Sequence, residues 1–143
     1  MKLPTYDSLL LDIDQHVATI TLNRPDKRNA MSFALLKELV RTAEKLKKDR
    51  SLRCVILTGE ANVFSAGIDL ADLNNPQNRA FAAWELIKPG QSLFQKAFLV
   101  WQELPVPVIA AMQGYCFGAG MQLALAADIR IAHPDTQMSI MES

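Results

Sequence analysis

Charge of one sign is what this chain most plainly lacks. Fifteen lysines and arginines balance fifteen aspartates and glutamates over 143 residues, so no net field draws in nucleic acid or an anionic membrane. Cysteine is nearly absent: Cys54 and Cys116 both sit in apolar segments and read as core thiols of a reducing compartment, not as a disulfide framework. The only histidines, His16 and His133, lie far apart without ligand-spaced partners, which gives no basis for a metal site. No apolar run reaches membrane-spanning length, and the opening MKLPTYDSLLLDID carries three aspartates and no unbroken hydrophobic stretch, unlike a secretory signal or transit peptide. The expectation is a cytoplasmic protein without internal solenoid repeats.

What is present is enough apolar sequence, half of all residues, for one domain over 1–143 with a real core. Leu9 to Asp12 and Val17 to Leu22 read as a hairpin of two strands, followed by a turn at Asn23–Arg28, where Pro25 fixes the backbone. Ser32 caps a helix to about Lys48, with Phe33, Leu36, Val40, Ala43 and Leu46 on one face. The run Cys54 to Thr58 reads as a strand buried on both faces. Asp72 to Gln77 is polar and reads as a mobile loop. From Asn78 to about Glu103 the pattern is helical with a break at Pro89-Gly90, and Trp84, Phe94, Phe98 and Trp101 are expected in the core or a subunit contact. Strands follow at Val108–Met112, Ile129–Ala132 and Gln137–Ile140, with a helix from Ala119 to Ala127. Strands alternating with helices predict a parallel α/β layer.

Two glycine-containing turns, FSAGIDL (Phe64–Leu70) and GYCFGAG (Gly114–Gly120), each follow a buried strand and open a helix. Backbone N–H groups at a helix start have no intrahelical partner and favour negative charge. Two such turns face to face would cradle one developing oxyanion. The second turn alone also fits the glycine spacing of a dinucleotide-binding short-chain dehydrogenase. Against that, it lies late in the chain, and neither Tyr6 nor Tyr115 has a lysine four residues on. Tight strand–helix packing is the plain structural explanation of the same glycines.

Taken together, NRPDKRNAM (Asn23–Met31), VILTG (Val55–Gly59), FSAGIDL, PVIAAMQGYCFGAG (Pro107–Gly120) and LALAADIRIA (Leu123–Ala132) resemble the crotonase, or enoyl-CoA hydratase/isomerase, superfamily, in order and at family spacing. The resemblance implies a spiral of ββα units forming two roughly perpendicular sheets, in a chain that stops before a C-terminal helical trimerisation region. It implies an acyl-CoA substrate, no cofactor beyond that coenzyme A, and a homotrimer or hexamer for the full-length form. By carry-over, the N–H groups of Ile68 and Ala119 form the oxyanion hole, with Gly67 and Gly118 beside them. Glu142 stands at one of the family's two glutamate positions and Gln122 at the other. A carboxamide cannot exchange a proton at neutral pH, so Gln122 is expected to position water or substrate and Glu142 to act as the base. One carboxylate without the other suits double-bond isomerisation better than hydration, and FSAGIDL resembles the dienoyl-CoA isomerase form of the first turn. Arg24, Lys27 and Arg28 would hold phosphates, and Ala30 and Ala66 would lie near the adenine. Gly67, Asp69, Leu70 and Gly118 would complete the substrate- and CoA-binding set, with Asp69 also capping or orienting the first turn. A non-catalytic acyl-CoA-binding member is the runner-up, and a short-chain dehydrogenase a distant third.

Overall fold

A computed structural model describes residues 8–87 and 92–140. Strands β1 (Leu9–Asp14) and β2 (Val17–Leu22) form an antiparallel hairpin in register from Leu9 opposite Leu22 to Asp14 opposite Val17. Its two-residue turn places Gln15 and His16 at φ of 50° and 69°, the handedness that matches the twist of paired strands. A 3-10 turn at Pro25–Lys27 leads to helix α1 (Phe33–Lys47), where the Ser32 hydroxyl caps the Leu35 N–H at 3.1 Å. Strand β3 (Cys54–Gly59) then pairs parallel to β2.

Three helices follow: α2 (Leu70–Leu73), α3 (Pro76–Ile87) and α4 (Leu93–Leu99), the last running into a 3-10 turn at Val100–Glu103. Strand β4 (Val108–Met112) is parallel to β3, β5 (Tyr115–Phe117) leaves the sheet, and α5 (Ala119–Leu125) leads to β6 (Ile129–Ala132), which pairs parallel to β4. Strand β7 (Gln137–Ser139) pairs parallel to β5. The result is a five-stranded sheet in the order β1-β2-β3-β4-β6 and a separate two-stranded sheet of β5 and β7. This is the α/β spiral architecture expected from the sequence.

One core runs through the molecule. Ala18, Ile20, Leu22, Val55, Leu57, Val108 and Ala110 of the sheet join Leu35, Leu36, Leu39 and Ala43 of α1 and the fully buried Trp101. The Trp101 indole N–H donates to the Ala97 carbonyl at 3.0 Å, so the largest core side chain leaves no buried donor open. Each large side chain so buried contributes on the order of 2 kcal/mol.

Several expectations need correction. Asp72–Gln77 is not a loop: Asp69 caps α2, and Pro76 starts α3, where its missing N–H costs nothing. On α1, Phe33, Leu36, Ala43 and Leu46 are buried as expected, but Val40 is only half-buried and the buried stripe also takes in Leu35, Leu39 and Thr42. On β3, Val55 and Leu57 are buried but Cys54, Ile56 and Thr58 are half-buried, so one face is tighter than the other. Trp84 is exposed, unlike Phe98 and Trp101. Helix α3 is described to Ile87 and α4 begins at Leu93 behind its Ser92 cap; the expected break at Pro89-Gly90 lies outside the described residues.

Candidate functional site

Three short segments lie side by side, and Ser65 joins them. The segment after the hairpin is fixed by Asn29, which is fully buried. Its carboxamide donates to the carbonyls of Glu60 (3.0 Å) and Val63 (2.8 Å) and accepts from the Arg24 N–H (2.8 Å). This holds Arg28 and Asn29 at φ of 51° and 56°, a left-handed conformation that non-glycine residues adopt only when the surroundings impose it. The same segment runs beside the first glycine turn: Met31 N–H donates to Gly67 (2.7 Å), Asp69 N–H to Met31 (3.0 Å), and Ala66 N–H to Arg28 (3.0 Å).

On its other side the first turn meets the second. Ser65 N–H donates to the Tyr115 carbonyl at 2.9 Å, and Phe117 N–H donates to the Ser65 carbonyl at 3.0 Å, a parallel bridge between the two turns. The Ser65 hydroxyl completes the junction by donating to the Asn29 carbonyl (2.8 Å) and accepting from the Gly67 N–H (3.2 Å). This fully buried serine thus has every polar group satisfied within the protein. Gly118 takes φ 49° and ψ −114°, a conformation closed to other residues, and turns β5 directly into α5. Its N–H donates to Ser139 of β7 at 2.8 Å, which ties down the entry to α5.

The expected oxyanion donors belong to these two turns: Ile68 is half-buried beside the bridge to Met31, and Ala119 is buried at the first residue of α5. Gln122 lies one turn further along α5 and is exposed. It lines a groove of about 310 Å³ between α4 and α5, whose walls include Phe94, Phe98, Leu99 and Leu125. Phe94 also borders a shallow recess beside Ile68 and Asp69, so it connects the first turn with that groove. Glu142 lies outside the described residues.

Among the basic residues, the structure separates two roles. Arg24 is drawn inward: its guanidinium donates to the Ala30 carbonyl (2.5 Å) and to Asp69 (3.0 Å), fastening the basic turn to the first glycine turn. Lys27 and Arg28 are exposed, and the Arg28 guanidinium carbon stands 5.3 Å from the centre of the Tyr115 ring. Ala30 and Ala66 flank this junction half-buried, and Leu70 is exposed. Asp69 also caps α2 by accepting from the Asp72 N–H at 3.1 Å. Burial alone would raise the Asp69 carboxyl, but the Asp72 N–H and Arg24 outweigh it and hold the group below its ordinary range.

Sequence reasoning assigned no site role to Asn29, the Ser65 hydroxyl, Tyr115 or Phe94, the last of which was expected only in the core or a subunit contact. Asn29 carried a signal, since an asparagine closing a Pro-containing turn is a residue suited to positive φ and to bonding nearby backbone. Nothing in the sequence pointed Tyr115 at Arg28, because that contact joins segments far apart in the chain.

Comparison with known proteins identifies the family and the fold. A family model described as enoyl-CoA hydratase/isomerase matches residues 12–143. The mitochondrial Delta(3,5)-Delta(2,4)-dienoyl-CoA isomerase of Mus musculus is 39% identical over 144 residues, covering 96% of this chain and 44% of the mouse protein. The crystal structure of an enoyl-CoA hydratase from Bacillus anthracis superposes with a TM-score of 0.80 at 33% identity, over 92% of this chain and 50% of its own. A Thermobifida fusca protein assigned as an enoyl-CoA hydratase, solved in complex with acetoacetyl-CoA, gives a TM-score of 0.79 at 36% identity, over 93% of this chain and 53% of its own. The chain thus spans about half the length of the proteins it matches.

Proposed function

Because the chain belongs to the enoyl-CoA hydratase/isomerase, or crotonase, family, we propose that it binds an acyl-CoA thioester across the junction of its two glycine turns and stabilises the thioester enolate there. The observation that carries the proposal is the parallel bridge between Ser65 and Cys116, which fixes the first turn against the start of α5. In this reading the thioester oxygen lies between the backbone N–H groups of Ile68 and Ala119. Removal of the α-proton moves its electron pair onto that oxygen, and two preorganised donors meet the new charge. One such donor is commonly worth about 3 kcal/mol of barrier.

Glu142 is the proposed base, taking the α-proton and returning it to a carbon further along the acyl chain. That step moves one proton and one double bond, and it needs no second acid and no resident cofactor. Gln122 orients the acyl portion or a water, since its carboxamide cannot itself exchange a proton at neutral pH. The apolar wall of Phe94, Phe98, Leu99 and Leu125 beside Gln122 suits an acyl tail. Double-bond isomerisation is therefore favoured over hydration, and the similarity to dienoyl-CoA isomerases supports the same choice. At the coenzyme end, the exposed Lys27 and Arg28 are the proposed phosphate contacts, with Ala30 and the Ala66 carbonyl near the adenine. We propose the cytoplasm as its compartment, on the two free thiols; no helix among the described residues is long and apolar enough to cross a membrane. A homotrimer or hexamer is proposed for the full-length form.

Gln122 also favours a second reading, an acyl-CoA-binding protein without chemistry. One experiment separates the two: exchange of the α-protons of a saturated acyl-CoA in D₂O, followed by NMR on protein shown to be folded by circular dichroism. Exchange that disappears in Glu142→Gln supports the enolate mechanism. A folded protein that binds coenzyme A without exchange supports the binding reading, and one that binds neither coenzyme A nor its thioesters overturns both.

A further inference from the structure

Arg28 is held in an unusual way. Its backbone is left-handed at φ 51°, at the end of the 3-10 turn, and its guanidinium lies over the Tyr115 ring at 5.3 Å. That ring is stacked on Phe117, with centroids 5.0 Å apart and planes inclined by 27°. Tyr115 and Phe117 are two apart on β5 and so share a face, while Cys116 between them points into the core against Met112. The backbone repeats the connection, because Arg28 accepts from Ala66, and Ser65 donates to Tyr115. A guanidinium lying over an aromatic face keeps its N–H edge available while losing much of its freedom to swing.

We propose that the Tyr115–Phe117 stack is a positioning platform that holds Arg28 preorganised for an anionic phosphate of coenzyme A, so that Tyr115 acts on ligand affinity only through Arg28. The proposal rests on the reading of Arg28 as a phosphate contact given above. Its chemistry is simple: an exposed arginine normally surrenders rotamer freedom when it binds an anion, and a platform that has already restricted it reduces that loss. Lys27, its exposed neighbour in the same turn, has no ring beside it among the described contacts and supplies an unpositioned charge.

The test is calorimetric titration of coenzyme A and of pantetheine, which lacks the nucleotide and its phosphates, into wild type, Arg28→Ala, Tyr115→Leu, Tyr115→Phe and the Arg28→Ala/Tyr115→Leu double variant. Tyr115→Leu is expected to weaken coenzyme A about two- to fivefold and to leave pantetheine unchanged. Tyr115→Phe should match wild type, and in the Arg28→Ala background Tyr115→Leu should cost nothing further. Where Tyr115→Leu does not fold, fluorinated phenylalanines at position 115 preserve the ring's shape while draining its face of negative charge. Coenzyme A affinity should then fall stepwise with fluorine content. Additive losses in the double variant, a matching loss for pantetheine, or no dependence on fluorination overturns the platform. A wild type that binds coenzyme A no better than pantetheine overturns the phosphate reading beneath it.

Discussion

Gly120 sits so close over Ser65 that a Cβ added to it would come within 2.8 Å of both the serine Cβ and the serine carbonyl oxygen. The first residues of α5 can approach the first glycine turn only because no side chain stands between them. Gly120→Ala must therefore push the turns apart. The expected destabilisation is about 1–3 kcal/mol, read as a lower midpoint in urea, together with loss of acyl-CoA binding. Adding Ser65→Gly removes one of the two clashes but leaves the carbonyl in place, so recovery should be partial.

The Asn29 carboxamide makes three hydrogen bonds from a fully buried position. Asn29→Ala leaves the Glu60 and Val63 carbonyls and the Arg24 N–H without that partner and gives a Cβ residue a costly positive φ. The expected loss is on the order of 3 kcal/mol. Asn29→Asp, which keeps the acceptor and removes the donors, should also destabilise. Equilibrium denaturation of both variants measures this.

Asp69 gives a pH signature. Its carboxyl is held below its ordinary range in the folded protein, so the stability it provides is present above the unfolded value. That stability is lost as pH falls through the folded one. The wild type should lose thermal stability below about pH 4, and Asp69→Asn should show a smaller slope there. At neutral pH the variant should be less stable by about 1 kcal/mol, because Arg24 loses its charged partner while asparagine still caps α2.

Burial raises the Cys116 thiol to about 11, and the thiolate is the reactive form. Cys116 should resist iodoacetamide at pH 8 in the native protein and react once urea unfolds the chain. Mass spectrometry after trypsin digestion reads the difference.

On the proposed mechanism, Gln122→Glu restores the second titratable group. It should increase hydration of a 2-enoyl-CoA by about 100-fold or more, the usual scale of general acid–base assistance, with little change in coenzyme A affinity. Gln122→Ala should leave α-proton exchange measurable.

Much of this was legible in the sequence for identifiable reasons. Alternation in β2, the Ser32 cap and the Pro25 turn are local signals, and each has its local consequence in the structure. The glycines were legible as turns, but the side-by-side pairing of the two turns through Ser65 joins distant segments and had no local signal. Less was legible where two signals competed. Asp72–Gln77 is polar enough for a loop, yet Asp69 and Pro76 are helix-start residues, and their capping chemistry prevailed. Arg24 looked like its neighbours Lys27 and Arg28; only the fold sets it against Asp69. Contacts such as Arg28 over Tyr115 join distant segments, and no periodicity encodes them.

Strand β6 has a consequence for handling the protein. Among the described residues it forms one border of the five-stranded sheet, with Ile129 and Ile131 exposed and only β4 paired to it. An apolar border of this kind accepts further strands. Solubility of the isolated chain should therefore be a colloidal property of the native state: turbidity should rise with concentration well below the melting temperature, and a charged residue at Ile131 should suppress it without changing the melting point.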